Sequence, residues 1–315
     1  MSTDAVRSVR LATRGSPLAR RQAALVADLL TGADPGVRVE TVVVSTEGDR
    51  RADVPLDRIG GQGVFTKEIQ TAVLEGRADV AVHSAKDLPS QTPGGLVLAA
   101  VPERADARDA LVGSTLSDLP PGGVVATGSA RRRAPLANQR PDLGFVELRG
   151  NMDTRARRAE EGSVGAVVVA KAAFDRLGWS ERIAQVLPVS MLLPQAGQGA
   201  LALECRADDA ASAALLAAVD DRAGHCTLAA ERALLAALGA DCSVPVGAWA
   251  EPLDGGRLRL DGLLASGDGR VVIRAALEGD DDDPVALGRR LARHLFEDCG
   301  GEAVTDWAGP SGAAP

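Results

Sequence analysis

Short apolar runs alternate with helical stretches through the first two-thirds of the chain. VRLAT (residues 9–13) predicts a strand, and RGSPLARRQAALVADLL after it predicts an amphipathic helix with Ser16 as N-cap and Pro17 at its first position. VETVVVST, FTKEIQTAVLEGRA and ADVAVHS continue as strand, helix and strand, the helix ending near Gly76. This is βαβαβ order, which predicts a parallel sheet with crossover helices. After VPERADARDALVG, read as a crossing segment, the pattern repeats. GGVVATGS and RRRAPLANQR, GFVELRGN and DTRARRAEEG, and GAVVVA and KAAFDRLGW each predict a strand followed by a helix. LPQAGQGALALECR offers a further strand able to run back into the first domain, and SAALLAAVDD a helix. From about residue 220 the texture changes. A helix (CTLAAERALLAALG) precedes three strands, VPVGAWAEP, RLRLDGLLAS and VVIRAALEG, separated by the turn signals DGG and GDG, and DPVALGRRLARHLFEDC closes the chain as a helix. The predicted fold is α/β: two doubly wound domains (1–102 with 199–219, and 103–198) and a small α+β domain (220–315) with a three-stranded antiparallel sheet.

Composition narrows this picture. Of 315 residues 45% are hydrophobic, but aromatics are 2% and tyrosine is absent, so the cores must be built from Ala, Val and Leu. The formal charge is −8 and unevenly spread: 25 basic and 23 acidic residues in 1–200, 10 and 20 in 201–315. The run EGDDDDP reads as a solvated loop. A local basic excess in 127–158, eight Arg against three acids, suits a small polyanion better than a nucleic acid, which calls for a basic domain with aromatic platforms. Cys205, Cys226, Cys242 and Cys299 stand at no metal-ligand spacing, so no metal is expected. With no apolar signal core and no membrane-length run, a cytoplasmic protein with free thiols is expected.

Candidate chemistry lies at the strand–helix junctions, where orphan N–H groups and helix dipoles attract anions. Placed there are Arg14 and Ser16; Ser84, Lys86 and Asp87; Thr127, Ser129, Arg131 and Arg132; and Arg149 followed by Arg155. Arginine forks hold carboxylates bidentately. Taken singly, each feature also has a plain structural reading. Arg131–Arg133 can be a solvated helix face, and Lys86–Asp87 a surface ion pair of ~0–1 kcal/mol. GGQGVF and GQGA can be tight turns, Cys242 an unreactive thiol, Trp179 and Trp249 core or rim residues, and His83 a satisfied core histidine. His225 and His294 are too remote in sequence to propose a metal site.

In combination, LATRGSPLA, VHSAKDLPS, ATGSARRR, LRGNMDTR, LPQAGQGALALECR and ADCSVPVGA, in this order, closely resemble the porphobilinogen deaminase (hydroxymethylbilane synthase) family from about residue 8 to the last helix. The resemblance implies one covalent dipyrromethane cofactor per chain, joined by a thioether to Cys242, and a cleft between periplasmic-binding-protein-like domains. It also implies head-to-tail condensation of four porphobilinogen molecules with loss of ammonia, then hydrolytic release of hydroxymethylbilane. Asp87 matches the catalytic carboxylate. By the same resemblance Arg14, Ser16, Ser84, Lys86, Thr127, Ser129, Arg131, Arg132, Arg149, Arg155, Arg176, Gln198 and Gly199 would bind cofactor or substrate. A monomer without nucleic-acid or membrane partners, handing its product to uroporphyrinogen-III synthase, is the further expectation. Two departures stand out: Gln62 where the family often has Lys, which puts a charge-binding or lid role there in question, and HSAKD for HSMKD. The reading from another class is a two-domain small-anion-binding protein of the periplasmic-binding type, whose fold alone would not separate it.

Overall fold

The computed structural model describes residues 7–50, 63, 65–148, 150–240 and 244–304. The strands are β1 (Arg7–Arg14), β2 (Val37–Val44), β3 (Val80–Ser84), β4 (Leu96–Ala100), β5 (Asp109–Gly113), β6 (Val124–Ala126), β7 (Gly144–Val146), β8 (Ala166–Ala170), β9 (Ile183–Val186), β10 (Leu201–Arg206), β11 (Val246–Leu253), β12 (Arg257–Ala265) and β13 (Val272–Asp280). The helices that matter here are α1 (Pro17–Ala33), α2 (Lys67–Leu74), α3 (Ala130–Gln139), α4 (Met152–Glu160), α5 (Lys171–Leu177), α6 (Ala210–Ala217), α7 (Arg222–Leu238) and α8 (Pro284–Arg293). Contacts divide the chain into two compact units, 1–105 with 200–225, and 106–199 with 226–315.

The first unit is built on a five-stranded sheet in the order β2-β1-β3-β10-β4. β1 runs parallel to β2 and β3, whereas β10 is antiparallel to both β3 and β4. The return strand expected from LALECR is therefore present, and it makes the sheet mixed rather than wholly parallel. Helix α1 begins as its sequence directs: the Ser16 side chain accepts a hydrogen bond from the Ala19 N–H, and Pro17 opens the first turn. Its buried stripe is Ala19, Gln22, Ala23, Val26 and Leu30, the helical spacing of one face. Val26 and Leu30 join Val9, Leu11, Val80 and Leu203 in the core, each contributing ~1.5–3 kcal/mol by burial.

In the second unit the order is β7-β6-β8-β5-β9. β6 is parallel to β7 and β8, and β5 is antiparallel to β8 and β9. DALVG, read above as part of a crossing segment, is thus a fully engaged strand, and LVLAA (β4) and IAQV (β9) are strands the pattern did not announce. All three are short, and a short apolar run takes its structure from the neighbour it pairs with rather than from its own periodicity.

The same unit contains the antiparallel sheet β11-β12-β13, covered by α7 and α8 through Leu234, Leu238, Leu258, Leu260, Leu287, Leu291 and Leu295. A Cβ added at Gly288 would lie 2.4 Å from the Ala230 carbonyl oxygen and 2.6 Å from the Ala233 Cβ, so α7 and α8 pack backbone to backbone. Buried Glu231 ties this region to the preceding loop, accepting from the N–H groups of Gly197 (2.7 Å) and Ala250 (2.9 Å).

Candidate active site

In the first unit β1 and β3 are parallel neighbours, so their carboxyl ends open at one edge of the sheet. There Arg14, Ser16, Gln22, Phe65, Thr66, His83, Ser84 and Asp87 line one pocket. The structure thus brings together residues that the sequence nominated on two separate motifs, Arg14 and Ser16 on one and Ser84 and Asp87 on the other. The Arg14 guanidinium carbon lies 4.0 Å from the centre of the Phe65 ring, a cation–π contact. Ser84 Oγ is held by the side-chain amide of buried Gln22 (Nε2–Oγ 2.8 Å). Asp87 closes a single 3-10 turn, Ala85–Asp87, that follows β3 directly; like Lys86 it is half-buried.

Gln22 and Phe65 were not singled out by sequence reasoning. A signal for Gln22 was present: it is a polar residue on the otherwise apolar stripe of α1. Phe65 carried none beyond being one of four phenylalanines in the chain.

In the second unit two of the three arginines of α3 are buried, and Arg133 alone is exposed. Arg131 and Arg132 are 3% and 6% exposed, and both are committed to Asp109, which is fully buried at the start of β5. Arg131 Nη1 donates to Asp109 Oδ2 (2.8 Å) and to the Leu193 carbonyl (2.6 Å). Arg132 donates to Asp109 Oδ1 through Nε (3.0 Å) and Nη2 (2.8 Å), and to the Val168 carbonyl through Nη1 (3.0 Å). Gln198 Nε2 adds a hydrogen bond to the same oxygen (2.9 Å) and one to the Ala107 carbonyl (2.7 Å).

Burial alone would raise the Asp109 carboxyl. The charges of Arg131 and Arg132 and the hydrogen bonds from Arg131 and Gln198 outweigh it and hold the group far below the usual carboxylate range. Burial pushes Arg131 down, with Asp109 opposing. Asp109 is a component that sequence reasoning missed, and its only signal is an acid opening an apolar run.

The remaining nominees lie apart, Thr127 and Ser129 between β6 and α3, Arg155 on α4 and Arg176 on α5. Thr127 is buried, and its Oγ1 accepts from the Ser129 N–H (3.2 Å) just before α3. Arg155 Nε donates to the Gly150 carbonyl (2.9 Å) on α4, whose N-cap is Asn151. Arg176 donates to the carbonyl of Gly199 (2.7 Å), and burial, partly offset by Asp175, lowers its guanidinium to about 10. Arg149, Cys242 and Gln62 lie outside the described residues. Trp179 meets Phe174 edge to face and carries Arg182 over its ring, and Trp249 packs at the rim of a small cluster with Ala134, Leu193 and Leu263.

Whether these residues fit an anionic cofactor can be judged from the α3 cluster. Two buried guanidiniums share one carboxylate, leaving a net positive charge. The Arg131 Nε is a buried donor without a partner among the described residues. A buried donor left unmade costs about 1–3 kcal/mol. Cluster charge and orphan donor both fit a carboxylate-bearing group. Among the described residues no cluster of His, Cys, Asp and Glu has the makings of a metal site.

The comparisons with known proteins agree with this chemistry. The model of the porphobilinogen deaminase dipyromethane cofactor binding domain matches residues 9–214, and that of the porphobilinogen deaminase C-terminal domain matches residues 225–297. The chain is 47% identical over 297 residues to the porphobilinogen deaminase of Roseiflexus sp. (strain RS-1), covering 93% of this chain and 97% of the relative. It is 45% identical over 307 residues to that of Gloeobacter violaceus, covering 95% and 93%. Among solved structures, the VFT2 domain of Bordetella pertussis BvgS aligns at 19% identity and a TM-score of 0.41 over 67% of this chain and 86% of that one. On two family models and on relatives matched almost end to end, the chain belongs to the porphobilinogen deaminase family.

Proposed function

We propose that this protein joins four porphobilinogen molecules head to tail, losing one ammonia at each step, and releases hydroxymethylbilane by hydrolysis, as a transferase. The observation that carries this reading is the pocket of the first unit, where Asp87 stands with Arg14, Ser16 and Ser84 at the ends of two parallel strands. When attached, dipyrromethane supplies the free pyrrole α-carbon from which the chain of rings is extended. The residues proposed to hold it are Cys242, through a thioether, with Arg131, Arg132, Arg149 and Arg155 for its carboxylates and Lys86, Thr127, Ser129, Gln198 and Gly199 assisting. Arg14, Ser16, Ser84 and Arg176 bind the acetate and propionate of incoming substrate.

Asp87 does the proton work. A carboxylate beside a pyrrole N–H stabilises positive charge as ammonia leaves the aminomethyl carbon, and it can receive a proton and return one as that carbon forms each new carbon–carbon bond. Arginines suit this substrate because every ring adds two carboxylates, and planar forks hold them without themselves titrating.

Family membership favours this enzyme over the two-domain anion binder. The domain division 1–102 with 199–219, 103–198 and 220–315 remains our proposal, supported by the three separate sheets and by the pairing of β10 with β3 and β4. Action as a cytoplasmic monomer that hands its product to uroporphyrinogen-III synthase completes the proposal. No helix among the described residues is long and apolar enough to cross a membrane. The test is direct: purified protein is incubated with porphobilinogen, and ammonia and hydroxymethylbilane are quantified. A ratio of four ammonia per product supports the reading, and binding of porphobilinogen without ammonia release would contradict it.

A further inference from the structure

The layer between α2 and the first sheet is apolar, made by Ala12, Ile69, Ala72, Val73 and Ala81, yet it encloses a polar trio. His83 is 4% exposed, Gln70 5% and Glu204 not at all. His83 and Glu204 meet diagonally across the β3–β10 pairing, in which His83 is opposite Ala202 and Ala81 opposite Glu204. All four therefore share the face that α2 covers. Glu204 Oε2 accepts from Gln70 Nε2 (2.8 Å), and His83 Nε2 lies 3.2 Å from the same oxygen. That second contact is close but out of line for a straight N–H···O bond, so His83 Nε2 has an ionic or dipolar contact rather than an aligned hydrogen bond.

At 3.2 Å the Nε2–H tautomer turns the positive edge of the ring toward Glu204, whereas the Nδ1–H tautomer would set a nitrogen lone pair against a carboxylate oxygen, so the contact favours the former. A buried ionic or polar group of this kind is a poor way to add stability, since apolar residues of similar volume commonly do as well or better. Position is the other consideration. His83 lines the pocket that holds Arg14 and Asp87, and it immediately precedes Ser84 and the turn that carries Lys86 and Asp87.

We propose that His83 is a positioning residue of the active site: Glu204, itself fixed by Gln70, holds the imidazole with Nε2–H toward the core, and the ring so fixed sets the end of β3 from which Ser84 and Asp87 enter the pocket. An imidazole oriented from behind by a carboxylate keeps one tautomer and one ring plane. The charged groups around it are Glu204 from β10 and, across the pocket, Arg14 and Asp87; α2 contributes the neutral Gln70, while its Glu68 is turned to the Glu47 N–H. This inference rests on the reading of Asp87 as the catalytic carboxylate.

The chain has only three histidines, His83, His225 and His294, so imidazole nitrogen NMR on the intact, cofactor-loaded wild type resolves them, with substitutions at His225 and His294 for assignment. His83 is expected as the Nε2–H form, and a bare Nε2 with the proton on Nδ1 would overturn the proposal whatever the variants do. Kinetics on cofactor-loaded enzyme supply the second arm. His83→Gln keeps a donor at the place of Nε2, whereas His83→Leu keeps volume only. His83→Leu should lower kcat about tenfold with KM little changed, and His83→Gln should recover to within about threefold of wild type. A His83→Leu enzyme with wild-type kcat, or a His83→Gln enzyme as slow as His83→Leu, would overturn it. Asp87→Asn in the same assay separates the two claims: full activity there removes the Asp87 reading, while the tautomer of His83 stands or falls by itself.

Discussion

Asp109→Asn removes one charge from the interior of the second unit and leaves the side-chain shape unchanged. Four donors converge on this carboxylate at 2.8–3.0 Å, three from Arg131 and Arg132 and one from Gln198. An asparagine amide oxygen can still accept from Arg132 and Gln198. Its NH₂ then meets Arg131 Nη1, donor against donor, and two buried guanidiniums are left without a countercharge. Breaking a buried ion pair by removing one partner costs about 3–5 kcal/mol, and that is the predicted loss of stability at pH 7.

Tryptophan fluorescence reports the right unit, because the sequence has no tryptophan in residues 1–105 or 200–225. Denaturant unfolding should show a lower midpoint with little change in slope. The sign with pH follows from the depressed carboxyl. Its stabilisation is full above the unfolded value near 4 and is lost as pH falls through the lower folded value. The gap between wild type and variant should therefore narrow by about 1.4 kcal/mol for each unit below pH ~4. A loss under about 1 kcal/mol at pH 7, or a gap that widens in acid, would refute the buried-cluster argument.

Other consequences are as specific. Arg131→Leu leaves Asp109 paired with Arg132 and Gln198, so the protein should fold but lack cofactor, as read by an aldehyde pyrrole reagent; normal cofactor content would refute the cofactor role. Asp87→Asn should hold its cofactor and lose ~10²–10⁴-fold in single-turnover condensation, and a rate within a few-fold of wild type would mark Asp87 as merely structural. Gly288→Ala forces a methyl against the α7 backbone and should destabilise by about 1–3 kcal/mol, measured by the same fluorescence unfolding.

Much of this was legible in the chain. Ser16–Pro17 announced α1, and strand–helix alternation announced two α/β sheets, because amphipathic periods and caps are local properties. The antiparallel pairing of β10 and β5, which makes both sheets mixed, was not announced. LALECR was legible as a strand able to run back into the first domain, and its pairing with β3 and β4 places it there. The short strands DALVG and IAQV were not legible, since pairing partners rather than local pattern make them strands. At the site the junction logic found Arg14 and Ser16 on one stretch of sequence and Ser84 and Asp87 on another. It did not reveal that Arg131 and Arg132 are buried against Asp109: nothing local distinguishes a solvated arginine from one buried on an aspartate 22 residues away. Histidine 83 reads as core from its apolar strand, and it is core. Only its neighbour across the sheet, Glu204, 121 positions later in the sequence, makes it chemically interesting.

The central claim is that a covalent two-pyrrole primer is anchored on Cys242, and mass spectrometry of the denatured protein addresses it most directly. Non-covalent ligands leave on unfolding, whereas a thioether survives. The account predicts an intact mass raised by a dipyrromethane adduct, located by peptide mapping to the peptide containing Cys242 and absent from an inactive Cys242→Ser variant. Fully active protein with unmodified Cys242 would contradict it.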